Sequence, residues 1–179
     1  MLCGVCQVDR PGTMNRMGGL DVCDVCARGA ASESVKARGW TLNAESFVRY
    51  TRDHTWYYVR VEGTIDDPLA MTATFRMKEG YWFWLGMVWG IRVNDPLFNK
   101  LVLATSATKP LTRQFLESEG AQSALMDLVG EGGTIQVRGS SISVQVRQEG
   151  SAPDQARIEA ETAVLMAHLE TFAAVQAAS

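Results

Sequence analysis

Four cysteines in two CxxC pairs, Cys3-Gly4-Val5-Cys6 and Cys23-Asp24-Val25-Cys26, constrain this chain more than any other feature of its 179 residues. Each CxxC can fold as a knuckle that turns two sulfurs toward one point. Two knuckles close a tetrahedral four-sulfur site, which suits Zn2+ with Zn–S near ~2.3 Å. The 16-residue spacer contains the turn formers Pro11-Gly12 and Gly18-Gly19 and is long enough for a hairpin that brings the knuckles together. The same donor set suits iron in a rubredoxin-like site, and paired cysteines also form disulfides or a redox couple. Iron is disfavoured by flanks poor in glycine and proline, and a redox CxxC usually sits at a helix start beside a βαβ pattern, which neither pair has. Cys3, Cys6, Cys23 and Cys26 are therefore read as ligands of one Zn2+. Four thiolates leave no coordination position for substrate, so the metal is read as structural, holding together a segment with almost no apolar core of its own.

The array resembles a zinc ribbon over residues 1–28. It departs from the commonest ribbon pattern in carrying Gln7 and Ala27 where glycine often follows a knuckle. A short helix is expected over 30–39, opened near Ser32-Glu33-Ser34 and stopped by Gly39, with Lys36 and Arg38 favourably placed in its last turn. This divides the chain into a ribbon-like module with a short helix, residues 1–38, and a second domain, residues 40–179.

The second domain reads as α+β, an antiparallel sheet with helices that include a long C-terminal one. Period-2 alternation marks strands at Phe47 to Tyr50, Trp56 to Ile65 and Leu69 to Met77, expected to form a three-stranded meander. Gly80 to Val93 is apolar all round and is read as a buried helix because it exceeds the usual strand length. Leu101 to Thr105 is a strand, and Pro110 to Val129 one broken helix or two short ones, interrupted at Gly120 and ended at Gly130. Gly139-Ser140 between two alternating runs, Ile135-Val137 and Ile142-Val144-Val146, predicts a type II′ hairpin. The terminal helix starts near Ser151-Ala152-Pro153-Asp154 and carries Ile158, Leu165, Leu169 and Phe172 on one stripe. Its remaining faces are rich in Ala, Glu and Gln, so it is expected to pack by one side only.

The stretch from Ile91 through Asn94-Asp95-Pro96 and Phe98-Asn99 to Leu103 resembles a motif of an uncharacterised prokaryotic family: Gly-Asp-Pro, a Phe-Asp pair, then a strand. The likeness covers roughly residues 45–176, with Asn94 in place of the glycine and Asn99 in place of the second aspartate. It implies domain limits and no activity. Physically, Asp95 can accept from nearby backbone amides while Pro96 fixes the turn.

Function is less legible. His54 falls in a predicted turn and His168 on a helix flank, with no nucleophile motif or phosphate loop beside either, so no catalytic residue is assigned and the chain is read as non-enzymatic. Gly130-Glu131-Gly132-Gly133 is read as a helix-to-strand loop and Asp66-Asp67 as a turn. Tyr81, Trp82, Phe83, Trp84 and Trp89 put five aromatics into nine residues. They are either a buried helix or a partner surface, and Tyr81, Trp82, Trp84 and Trp89 are the partner-binding candidates. The expected role is a zinc-binding protein–protein interaction or assembly module, by a partner or by self-association. The alternative is nucleic-acid binding through the ribbon and the basic residues Lys36 to Arg60, with Trp40 or Tyr50 stacking on bases. Charge disfavours it: residues 1–60 carry +2 and residues 61–179 carry −5. No apolar run reaches the ~20 residues of a membrane span, and Met1 to Cys6 lacks the basic and apolar regions of a secretory signal, so a cytoplasmic protein is expected.

Overall fold

A computed structural model describes residues 2–5, 7, 9, 14–27, 39–66, 69–78 and 90–178. In chain order its elements are β1 (Met14–Met17), β2 (Leu20–Cys23), α1 (Asp24–Ala27), β3 (Thr41–Tyr50), β4 (Thr55–Thr64), β5 (Thr72–Met77), α2 (Pro96–Leu101), β6 (Val102–Ser106), α3 (Lys109–Glu117), α4 (Ala121–Gly130), β7 (Gly133–Arg138), β8 (Ser141–Glu149) and α5 (Gln155–Ala177). The fold is α+β, with antiparallel sheets and a long C-terminal helix, as the alternation and helical patterns predict. No helix among the described residues is long and apolar enough to cross a membrane.

Alternation identifies the faces of the strands but not their neighbours. β3 and β4 do pair, yet β4 next pairs with β8, and β5 lies between β7 and β6, giving the order β3-β4-β8-β7-β5-β6. The expected meander is therefore wrong: the β7–β8 hairpin inserts between β4 and β5. Its inner residues explain why. Val146, Val144 and Ile142 stand opposite Val59, Val61 and Gly63, matching one buried face to another. The hairpin turns at Gly139, whose φ of +59° with no positive φ at Ser140 suits the predicted type II′ geometry. β3 is longer than expected because Thr41 to Ser46 is a polar edge segment, with only Leu42 and Ala44 turned half-buried toward the core.

The terminal helix corrects another expectation. Asp154 is its N-cap, accepting from the Arg157 amide at 3.2 Å. Packing is not one-sided: every residue from Ala160 to Ala167 is buried. Phe172 meets the Phe115 ring of α3 edge-on at 5.5 Å, and Trp40 Nε1 donates to Glu170 Oε1 at 3.1 Å. A Cβ on Gly63 of β4 would stand 2.5 Å from Met166 Sδ, and one on Gly18 2.7 Å from Val164 Cγ1. The alanines that make the helix look solvated, Ala160, Ala163 and Ala167, are themselves buried.

Glu161 pairs with Arg157 at 2.8 Å, and Arg157 reaches Glu131 at 2.9 Å, yet Glu161 Oε2 is buried with no hydrogen-bond partner among the described residues. Burial raises the Glu161 carboxyl above its ordinary 4.5, against the opposing pull of Arg157. A native pKa above the unfolded one means the folded state holds the proton more tightly. This group's contribution is thus most favourable below its ordinary value and declines as pH rises through the native one. Glu161→Gln should remove that decline, so the difference in urea midpoint between variant and wild type should favour the variant more at about pH 7 than at about pH 4. An unchanged difference would rule this group out as a source.

The helix expected over Gly80 to Val93 lies outside the described residues up to Trp89, and Gly90 to Val93 is irregular rather than helical. Beyond it the Asn-Asp-Pro segment does the structural work expected. Asp95 Oδ1 caps α2, accepting from the Leu97 and Phe98 amides at 2.8 and 3.1 Å, a cap that contributes about 1 kcal/mol. Asn99 closes on Val93 in both directions, accepting from its amide at 3.0 Å and donating to its carbonyl at 2.6 Å. An ionised aspartate at this position could not make the second bond.

Candidate metal centre

The spacer between the CxxC pairs folds as the hairpin that metal ligation requires. β1 and β2 pair from Met14↔Cys23 to Met17↔Leu20, joined by Gly18-Gly19 with φ of +51° and +82°, the signs of a type I′ turn. The hairpin delivers Cys23 at the end of β2 and Cys26 in α1, while Asn15 Nδ2 donates to Asp24 Oδ1 at 2.8 Å across that corner. On the other side, Leu2 bridges Asp9, and the Gln7 amide returns to the Cys3 carbonyl at 3.0 Å. Gln7 takes a φ of +56°, the left-handed region. Glycine is common after a knuckle because the backbone adopts this conformation there, and here glutamine adopts it.

Cys3, Cys23 and Cys26 are 0%, 2% and 1% exposed, and their Sγ atoms all lie within 4.8 Å of one another. Sulfurs around a tetrahedral Zn2+ stand about 3.8 Å apart, given Zn–S near ~2.3 Å. The Gly4 amide donates to the Asp21 carbonyl at 2.8 Å, tying the first knuckle to β2. The Cys23 amide donates to Cys3 Sγ at 3.3 Å. Three close, buried cysteines could thus hold a metal ion, and their chemistry fits a soft or borderline cation. Cys6, the fourth sulfur in the sequence, lies outside the described residues.

The hairpin tip is fixed to the helical layer through one glycine. Gly18 hydrogen-bonds through its backbone to Asp127 of α4, and its carbonyl accepts from His168 Nε2 of α5 at 2.8 Å. A side chain at Gly18 would collide with Val164 and Ala124, and its φ is positive besides. His168 is therefore a half-buried seam residue rather than the plain helix flank expected.

His54 Nδ1 pairs with Glu149 in an exposed turn, while the Thr51 hydroxyl is engaged by the His54 backbone amide and carbonyl. That is a solvent-exposed side-chain pair at a sheet end. Asp66 packs against Gly39, consistent with a turn, and Asp67 lies outside the described residues. So do Tyr81, Trp82, Phe83, Trp84 and Trp89, and Lys36, Arg38 and nearly all of the expected 30–39 helix. Of the two rings the nucleic-acid alternative offers for stacking on bases, Trp40 is buried and bonded to Glu170, whereas Tyr50 is exposed. Glu131 and Gly132 form the helix-to-strand loop, between Gly130 at the end of α4 and Gly133 at the start of β7, and a Cβ at Gly133 would lie 2.3 Å from the Leu128 carbonyl oxygen.

One surface escaped the sequence reading. On the sheet face away from the helices, Arg49, Trp56, Tyr58, Arg76 and Arg147 line a depression of about 450 Å3. The strand order alone brings them together.

Fold and cluster define an α+β protein with a metal-competent cysteine site. The chain matches no protein-family model, no curated protein and no solved structure.

Proposed function

We propose that this chain is a non-enzymatic zinc-binding protein that acts as a protein–protein interaction or assembly module. The convergence of Cys3, Cys23 and Cys26 in a buried cluster supports this reading most directly. In the proposal, Cys6 completes a zinc-ribbon-like site with one structural Zn2+, which organises the hairpin that Gly18 fastens to α4 and α5. A closed four-sulfur site has no open position for substrate, and among the described residues the histidine rings hydrogen-bond to the Glu149 carboxylate and the Gly18 carbonyl, not to a hydroxyl. A protein partner is favoured by the aromatic run Tyr81, Trp82, Trp84 and Trp89, and by the edge strand β3, which carries the exposed apolar residues Val48 and Tyr50.

The test compares wild type with Trp84→Ala as immobilised bait. A stoichiometric protein partner or second copy should be retained by wild type and released by the variant, with the thermal midpoint little changed. Lost stability with unchanged association would instead make the ring part of the core. Turnover that depends on His54 or His168 would overturn the non-enzymatic reading.

A further inference from the structure

Besides any protein partner, we propose that the open face of the six-stranded sheet binds single-stranded nucleic acid. The inference rests on the chain being a binding protein, and not on its metal. Alternation turns Phe47 and Arg49 of β3, Trp56 and Tyr58 of β4, Arg147 of β8 and Arg76 of β5 to the face opposite the helices, because their strand neighbours, such as Val59, Val61, Val146 and Phe75, are buried in the core.

These six side chains form a stacking platform edged with positive charge. The Phe47 and Tyr58 rings stack at 4.9 Å and are 4° from parallel. The Arg49 guanidinium lies 5.5 Å from the Tyr58 centroid, and that of Arg147 lies 5.1 Å from the Trp56 centroid. Neither Arg49 nor Arg147 forms an ion pair among the described residues, and no acidic side chain lines the depression they share with Arg76. The chain as a whole carries −3, so this concentration of cations runs against its overall charge.

Bases stack on aromatic rings and on guanidinium planes alike, and an open sheet lets successive bases lie across neighbouring strands. The arginines' outer edges can then meet phosphates. Duplex would be held away, since its bases are already stacked on each other. A lipid surface calls for protruding apolar side chains, whereas the rings here are attended by guanidinium groups. An acidic peptide would use the charge and leave the rings idle.

The probe is a fluorescein-labelled oligothymidine or oligouridine of about 15 nucleotides, titrated with the intact chain and followed by anisotropy. Binding should weaken roughly 20-fold between 50 and 200 mM salt if three phosphates are neutralised. Tyr58→Leu should weaken it by about tenfold. Arg49→Ala with Arg147→Ala should lower affinity and flatten the salt dependence, while Arg113→Ala on α3 should change neither. Thermal midpoints of the variants confirm folding. The proposal fails if neither oligonucleotide binds at low salt, if the sheet variants bind as wild type does, or if anionic vesicles or an acidic peptide bind while the oligonucleotide does not compete. Any of those results, with partner capture intact, leaves the broader reading standing.

Discussion

Ala163→Glu should cost about 4 kcal/mol or more, enough to unfold a marginal domain, although an alanine on a one-sided helix would accept glutamate almost without effect. Ala163 is 0% exposed, on the side of α5 away from the Ile158, Leu165, Leu169 and Phe172 stripe. A carboxylate there loses its water and must push aside the elements that close over the helix. Met166→Ala gives a milder version that should still fold. Its sulfur fills the space left by Gly63 on β4, so removing it should cost about 2–5 kcal/mol by urea denaturation. Losses under about 0.5 kcal/mol in both variants would restore the one-sided picture.

The second large effect concerns the N-terminal hairpin. Besides its cysteines it buries only Val5 and Val22 among the described residues, with Met14, Met17 and Leu20 partly buried against the core, so its order is expected to depend on the knuckles being held together. Structural zinc in small modules contributes roughly 10–16 kcal/mol of binding free energy, which in such segments is folding free energy. Cys23→Ser, or a strong chelator, should therefore expose the Gly4 and Cys23 amides. Their hydrogen-exchange protection should fall by about a hundredfold or more. Loss of the hairpin also uncovers Val164 and removes the carbonyl that accepts from His168, so the part from Trp40 onward should keep a cooperative transition at a lower midpoint. Protection unchanged at both amides would mean that the hairpin stands without metal.

What the sequence could tell follows from the range of each signal. Local chemistry was legible: the Gly139 turn, the Asp95 cap, the break at Gly120 and the convergence of Cys3 with Cys23 and Cys26 each depend on residues close together or on a spacing rule. Partners far apart in sequence were not. Nothing in Trp56 to Ile65 shows that Ile142 to Val146 will lie beside it instead of Leu69 to Met77, because all three runs carry the same alternation. The same gap hid the arginine-edged sheet face, whose members come from β3, β4, β5 and β8. The terminal helix was misread for a different reason. Alanine signals exposure by its weak hydrophobicity, yet its small size also permits the closest packing.

In the proposed function the two CxxC pairs share one zinc. Elemental analysis of the full chain, expressed without added metal and purified without a metal-affinity column, tests it directly. About one zinc per chain is expected, lost when any one of Cys3, Cys6, Cys23 or Cys26 is changed to serine. Stoichiometric iron, or a metal-free chain whose four cysteines are closed in two disulfides, would contradict it.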